Sequence, residues 1–306
     1  MAVFLLLRTM VTTSQEGAAI AADPLNNTFL VWNGSAWLPC SNAERVATVA
    51  YTLGLQLRLL VFPYPLTHDY YHLKIQSFAS PGVWMSLAVL FLLVAHVLFG
   101  FRQRQLQAQA SSNHFQVASF GMLFLLVTVS LTANILFPVG AFMAERFLYL
   151  PSVGFCLTAV AWSKLLFDKY APNFILPFFG AITVVFALLT ILRNPAWKDN
   201  ESLHRTAIGT YAGSPKLNND LGTLLLEKAT KTTDAKERQA LLESAYPMLQ
   251  KALEQHPTYF DAYLAHGACA YYLGNFDAVV SSYEMANKLS LKDPKPALGF
   301  RYALQA

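Results

Sequence analysis

Two short runs in this 306-residue chain hold the side chains best suited to chemistry. The first is Pro63-Tyr64-Pro65-Leu66-Thr67-His68-Asp69-Tyr70-Tyr71-His72. Aromatic rings beside an aspartate and two histidines could hold a sugar or a lipid phosphate. Asp69, His68 and Tyr70 are the candidates there, with Asp69 foremost. His68 and His72 are four apart, so on a helix they would share a face with Asp69 beside them. A divalent cation is the one ion such a pair could begin to bind. No third strong ligand is local, so no metal site is assigned. The plain alternative is a belt of Tyr and His at a membrane interface.

The second run contains Glu145-Arg146, at the mouth of an apolar segment. Ionisable groups at that depth are costly and point to function by default. Arg146 could grip a phosphate through two parallel N–H bonds. Glu145 could orient it or hold an acceptor hydroxyl. The bland alternative is an internal ion pair that anchors the loop. In a third run, Arg193–Asp199, Trp197 reads as an interfacial anchor and Pro195 as a helix stop.

The elements that position these residues are apolar. The chain is 55% hydrophobic and 13% charged, where soluble domains carry roughly a quarter charged residues. Residues 1–200 hold 11 Lys/Arg and 7 Asp/Glu; residues 201–306 hold 11 of each. The net +4 therefore belongs to the apolar part, and no basic patch interleaved with aromatics suggests nucleic-acid binding. Cys40, Cys156 and Cys269 are too scattered for a zinc site or a disulfide framework. Glycine-rich nucleotide loops and the GxSxG and HExxH motifs are absent, and no cofactor follows.

Val83–Phe101, Phe115–Phe137, Phe147–Ser163 and Asn173–Leu192 contain no charged residue and approach the roughly 20 needed to cross a bilayer. Arg102 and Arg104 follow the first, and Lys164 and Lys169 follow the third. The positive-inside rule makes that face cytoplasmic and puts residues 63–82 and everything beyond Leu192 on the other side. Residues 45–62 carry Gln56 and Arg58, so an interfacial or re-entrant helix is preferred to a span, entered through a Ser41/Glu44 capping box. Residues 11–44 read as a surface loop with Trp32 and Trp37. Asn26 and Asn33 begin glycosylation-acceptor patterns there. Met1–Leu7 reads as the end of a further span, and the chain as part of a longer one.

Beyond the spans the pattern changes to a repeat. Tyr263, Gly267, Gly274, Tyr283 and Ala286 fall where tetratricopeptide repeats place packing residues. Gly267 permits close helix approach, with Tyr263 and Tyr283 filling the space between two helices; Gly274-Asn275 is the turn. An earlier, looser copy has Leu221-Gly222 in its first helix and Ala245, Leu249, Ala252 and Pro257 in and after its second. Lys228–Arg238 reads as an enlarged turn between them. His266 stands where leucine is usual. Two repeats are fewer than normally stand alone, so Asn200–Gly213 is expected to add a helix or the array to continue.

Asp23-Pro24-Leu25-Asn26, ERVATVAYTLGLQLRLLVFPYPLTHDYY, FPVGAFMAERFLYLPSVGFC and a WKDN junction into repeats come in this order. Together they resemble the transmembrane and tetratricopeptide repeat proteins, which in animals are protein O-mannosyltransferases of the endoplasmic reticulum. The resemblance covers nearly the whole chain and implies the C-terminal half of a GT-C-type glycosyltransferase. The expected fold is all-α, a polytopic transmembrane helix bundle followed by a short tetratricopeptide superhelix. Residues 1–82 would hold a truncated span, an external loop and an interfacial helix; 83–192, four transmembrane helices; 193–306, the repeats, facing the lumen or periplasm. The implied partners are a polyprenyl-phosphate-linked sugar, a protein acceptor or partner on the repeats, and membrane lipid. Asp69, Glu145 and Arg146 would carry over as donor-pocket residues. The family's usual catalytic acid lies in an early external loop that this sequence lacks. The competing expectation is a non-catalytic membrane scaffold displaying the repeats; a transporter is weaker, for want of paired broken helices.

Overall fold

The computed structural model describes residues 24–71, 73–106, 113–135, 139–167 and 171–289. Met1–Leu7, Asp23, His72, Phe137-Pro138, Lys169 and the end of the repeat at 291 lie outside the described residues. The chain forms two compact units that meet between Leu192 and Arg193.

The first unit opens with a small antiparallel hairpin, β1 Leu30–Trp32 paired with β2 Trp37–Pro39. Strands this short give no readable alternation, and this segment had been expected as loop. The Asn33 side-chain carbonyl accepts from the Ser35 and Ala36 amides at 2.9 and 2.8 Å, and Gly34 takes φ +100°. These contacts close the turn and bring the Trp32 and Trp37 rings to 5.4 Å.

Helix α1, Asn42–Val61, begins with the expected capping box. Glu44 and Ser41 satisfy each other's backbone amides, and the Ser41 hydrogen bonds hold the Glu44 carboxyl below its usual range. α1 is not among the helices apolar enough to cross a membrane. Three are long and apolar enough: Pro81–Arg102 within α2 (Pro81–Leu106), Glu145–Phe167, which includes α4 (Tyr149–Phe167), and Ile175–Trp197, which includes α5 (Ile175–Arg193). Between α2 and α4 lies α3, Asn113–Ser130, shorter than the span expected over Phe115–Phe137. It ends in turns at residues 131–135, where Asn134 adopts φ +57°. The four apolar segments are thus three long helices and one short one.

Small residues let these helices approach. A Cβ on Gly154 of α4 would fall 2.4 Å from the Gly121 carbonyl oxygen of α3, and one on Gly54 of α1 would meet Ser86 of α2. By contrast, α5 has no buried residue among those described, being apolar all round.

The second unit is wholly helical among the described residues: α6 Asn200–Thr210, α7 Pro215–Lys231, α8 Ala235–Gln255, α9 Phe260–Tyr272 and α10 Phe276–Leu289. α7–α8 and α9–α10 form two antiparallel hairpins. Asp199 caps α6 by accepting from the Ser202 amide at 2.7 Å, and Glu201 on α6 pairs with Arg205 and with Lys228 of α7. Leu221, Leu225, Leu242, Leu249 and Cys269 form the core. Burial pushes the Cys269 thiol up to about 11, leaving it inert at neutral pH.

The expected enlarged turn at Lys228–Arg238 is corrected. α7 continues to Lys231 and α8 starts at Ala235, so only Thr232–Asp234 is non-helical. The extra residues lengthen both helices instead. In the added turn of α7 the inner stripe continues through buried Ala229, whereas residues 235–240 of α8 are exposed and its buried stripe begins at Leu242.

Candidate functional site

The loops of the first unit converge on the ends of α1. At its start, the Arg45 guanidinium donates to the carbonyls of Asn134 and Ile135, each at 3.4 Å, and lies over the Phe29 ring. Asn134 is buried and braces the loop behind it. Its amide nitrogen donates to the Ala141 and Phe142 carbonyls, and its oxygen accepts from the Val139 amide at 2.8 Å. Phe142 meets the rings of Phe29 and Tyr71 edge-on, and the Tyr71 hydroxyl donates to the Pro24 carbonyl at 2.8 Å.

At the other end of α1, Leu59 and Leu60 pack with Tyr70, Leu125, Met143 and Leu148. Above this cluster sits Glu145, first residue of a short 3-10 turn, Glu145–Leu148, that leads into α4. One oxygen of its carboxylate accepts from the Thr67 amide at 2.5 Å and from the Tyr70 hydroxyl at 2.9 Å. Thr67 is fully buried and Tyr70 nearly so. Glu145 therefore locks the 63–71 segment onto the start of α4.

Glu145 and Arg146 do not act as a pair. Among the described residues no ion pair joins them. Arg146 is exposed and stands over the Phe147 ring at 5.2 Å. Asp69 is half-buried; its carboxylate accepts from the Tyr71 amide at 3.3 Å, and its carbonyl accepts from the Thr67 hydroxyl at 3.2 Å. His68 is half-buried beside it. The structure thus brings Asp69, Tyr70 and Glu145 into one layer through Thr67, and leaves Arg146 at the surface. Among the described residues no three His, Cys, Asp or Glu side chains cluster closely enough to hold a metal.

One feature escaped the sequence. A cavity of about 490 Å³ opens between α1, α2, α3 and α4, lined by Leu57, Val61, Met85, Val89, Met122 and Phe155, with Arg58 among its lining residues. Arg58 is exposed and donates to the Tyr64 carbonyl at 2.7 Å. Gln56, one residue pair away, is buried with neither amide atom hydrogen-bonded. The sequence signal was present in Arg58, but together with Gln56 it read as a cost of crossing the membrane rather than as a lining.

The residues read as repeat packing positions lie at close helix contacts, in turns or in the core. A Cβ on Gly222 would lie 2.6 Å from Leu249 Cγ, and one on Gly267 would lie 3.0 Å from the Tyr283 ring. Gly274 takes φ +75° in the turn between α9 and α10. The Tyr263 hydroxyl donates to the Pro257 carbonyl at 3.1 Å, and Ala286 is fully buried.

No family model matches the chain. Curated relatives do. Protein O-mannosyl-transferase Tmtc2 of Drosophila melanogaster is 34% identical over 155 residues, 50% of this chain and 15% of the relative. Protein O-mannosyl-transferase TMTC1 of Homo sapiens is 27% identical over 209 residues, 67% of this chain and 23% of the relative. Protein O-mannosyl-transferase TMTC4 of Mus musculus is 27% identical over 195 residues, 63% of this chain and 26% of the relative. The chain spans about a quarter or less of the length of these relatives, and over that part it is homologous to TMTC-type proteins. With three helices apolar enough to cross a bilayer, it is an integral membrane protein.

Proposed function

We propose that this chain contributes the outer-face donor pocket and the repeat array of a membrane glycosyltransferase. The donor would be a sugar on a polyprenyl phosphate, and the acceptor a protein hydroxyl. The similarity to protein O-mannosyl-transferases supports the reaction class. The observation that carries the donor class is the apolar cavity of about 490 Å³ with a guanidinium, Arg58, in its wall. Such a cavity suits an isoprenoid chain, and the cation suits the phosphate at its head.

The Tyr64 carbonyl holds the Arg58 guanidinium through one of its nitrogens, Nη2, leaving further N–H groups to meet a phosphate. In transfer, the bond between the sugar's anomeric carbon and the phosphate oxygen breaks as the acceptor oxygen bonds to that carbon. Negative charge grows on the departing lipid phosphate, and a fixed cation stabilises it there. Exposed Arg146 is the second cation suited to that role. Glu145, engaged with Thr67 and Tyr70, holds the 63–71 segment in place rather than taking the acceptor proton. The α7–α8 and α9–α10 hairpins are read as tetratricopeptide repeats that hold the acceptor or a partner on the non-cytoplasmic side.

The test is binding of a long-chain polyprenyl phosphate to the chain in nanodiscs, with the matching polyprenol as control. The phosphate should bind more tightly than the alcohol, and Arg58→Gln should weaken the phosphate alone by about tenfold, the scale of a hydrogen bond to a charged group. Equal binding of both lipids, or an indifferent Arg58→Gln, would favour a scaffold that only displays the repeats.

A further inference from the structure

A second groove lies on the opposite side of α4 from the cavity. It holds about 540 Å³ between α3 and α4 and is lined by Val117, Val153, Cys156, Leu157 and Val160, with His114 and Lys164 at one end. Ser152, at the other end, turns its hydroxyl onto the Tyr149 carbonyl of its own helix. The groove is therefore apolar along its length, with the Lys164 ammonium at one extremity.

Its dimensions define an occupant. Ser152 and Lys164 are twelve residues apart on one helix, about 18 Å at 1.5 Å per residue. That is the reach of a single fatty acyl chain. That end is built from two antiparallel helices: His114 is the second residue of α3, and Lys164, which carries the charge, lies in the last turn of α4. The amino-terminal end of α3 adds its positive dipole at the same place. Arg102, in the last turns of α2, belongs to the same side by the alternation of the helices. By the positive-inside rule this is the cytoplasmic side, where acidic phospholipid headgroups concentrate.

We propose that the α3–α4 groove binds one phospholipid with an anionic headgroup, its acyl chain along Val153–Val160 and its phosphate against Lys164 and His114. The site is separate from the cavity bearing Arg58 and does not depend on the donor reading.

Cys156 reports on it directly, because its exposed thiol lies within the groove. The chain would be placed in nanodiscs of phosphatidylglycerol or of phosphatidylcholine with identical acyl chains. Alkylation of Cys156 by an uncharged maleimide would then be followed by peptide mass spectrometry, which separates it from Cys40 and Cys269. In phosphatidylglycerol the reaction should be about fivefold slower, the effect of one lysine on an acidic lipid. Lys164→Gln should abolish the difference while the unfolding temperature stays the same. Equal rates in the two lipids would overturn the proposal. So would a difference that survives Lys164→Gln.

Discussion

At the scale of single residues, neighbours in sequence are poor guides to partners in space. Glu145 and Arg146 were legible as costly charges at a helix mouth, but consecutive side chains on a helical turn point in different directions. The structure sends Glu145 inward to Thr67 and Tyr70 and leaves Arg146 over Phe147. The long-range partner, 78 residues earlier, leaves no mark in the local pattern. Removing the carboxylate strands a buried amide and a buried hydroxyl. Glu145→Ala should cost about 2 kcal/mol locally, seen as faster hydrogen exchange at the Thr67 amide. Glu145→Gln, which keeps an acceptor oxygen, should be milder. His266 makes a second case. It occupies a leucine position, and its ring lies 4.6 Å from that of Tyr246, with Nδ1 2.8 Å from the Ser282 hydroxyl. Burial lowers its pKa, so the folded protein holds it neutral. The unfolded chain takes up a proton near pH 6.5, about the ordinary value, and the folded one only at lower pH. Stability from this site is therefore complete above that value and declines as pH falls toward the folded pKa. Hydrogen exchange in α9, corrected for its intrinsic pH dependence, should accelerate between about pH 7 and about pH 5. His266→Leu should flatten that response.

At the scale of elements, what repeats or runs long was readable and what is short was not. The apolar runs gave α2, α4 and α5 because twenty uninterrupted apolar residues have few other stable forms. Gly267 reads as a place of close helix approach, and a Cβ there would lie 3.0 Å from the Tyr283 ring; Gly222 makes a similar contact with Leu249. The β1–β2 hairpin escaped because three-residue strands carry too little alternation. The turn at Lys228–Arg238 was misplaced for a different reason. Its charged residues cover exposed helix surface, and Ala229 alone within it is buried. Composition dominated by exposed faces looks like loop. The two glycines differ in a measurable way. At Gly222 a methyl would strike Leu249, which is fully buried and has nowhere to move. At Gly267 it would graze the half-buried Tyr283 ring, which can yield by a few tenths of an ångström. Gly222→Ala should thus destabilise the second unit by about 2 kcal/mol, and Gly267→Ala by clearly less. Urea unfolding of the two variants, followed at the buried Cys269 thiol, would rank them.

At the scale of the whole molecule, the open quantity is which face of the membrane carries the second unit. Arg102 and Lys164 lie at or near the ends of their spans that share one side by alternation, and the positive-inside rule predicts that side to be cytoplasmic. On that reading α5 returns the chain to the opposite side at Arg193, which predicts that the helical hairpins lie in the lumen or periplasm. The lengthened α7–α8 hairpin offers a place to test this. Thr230 is exposed near the end of α7, and Thr232 follows it by two positions. Thr230→Asn therefore creates an Asn-x-Thr acceptor with Lys231 between, on a tip where a bulky glycan meets no packed neighbour. Expressed through an endoplasmic reticulum, the variant should gain one glycan beyond any that the unsubstituted chain carries. The gain should disappear with Thr232→Ala in the same background, which removes the acceptor pattern and not the asparagine. An unglycosylated variant that still folds, judged by an unchanged hydrogen-exchange pattern in α9, would put the hairpins in the cytosol. It would then separate them from any acceptor presented at the outer face, and with it the role proposed for them in sugar transfer.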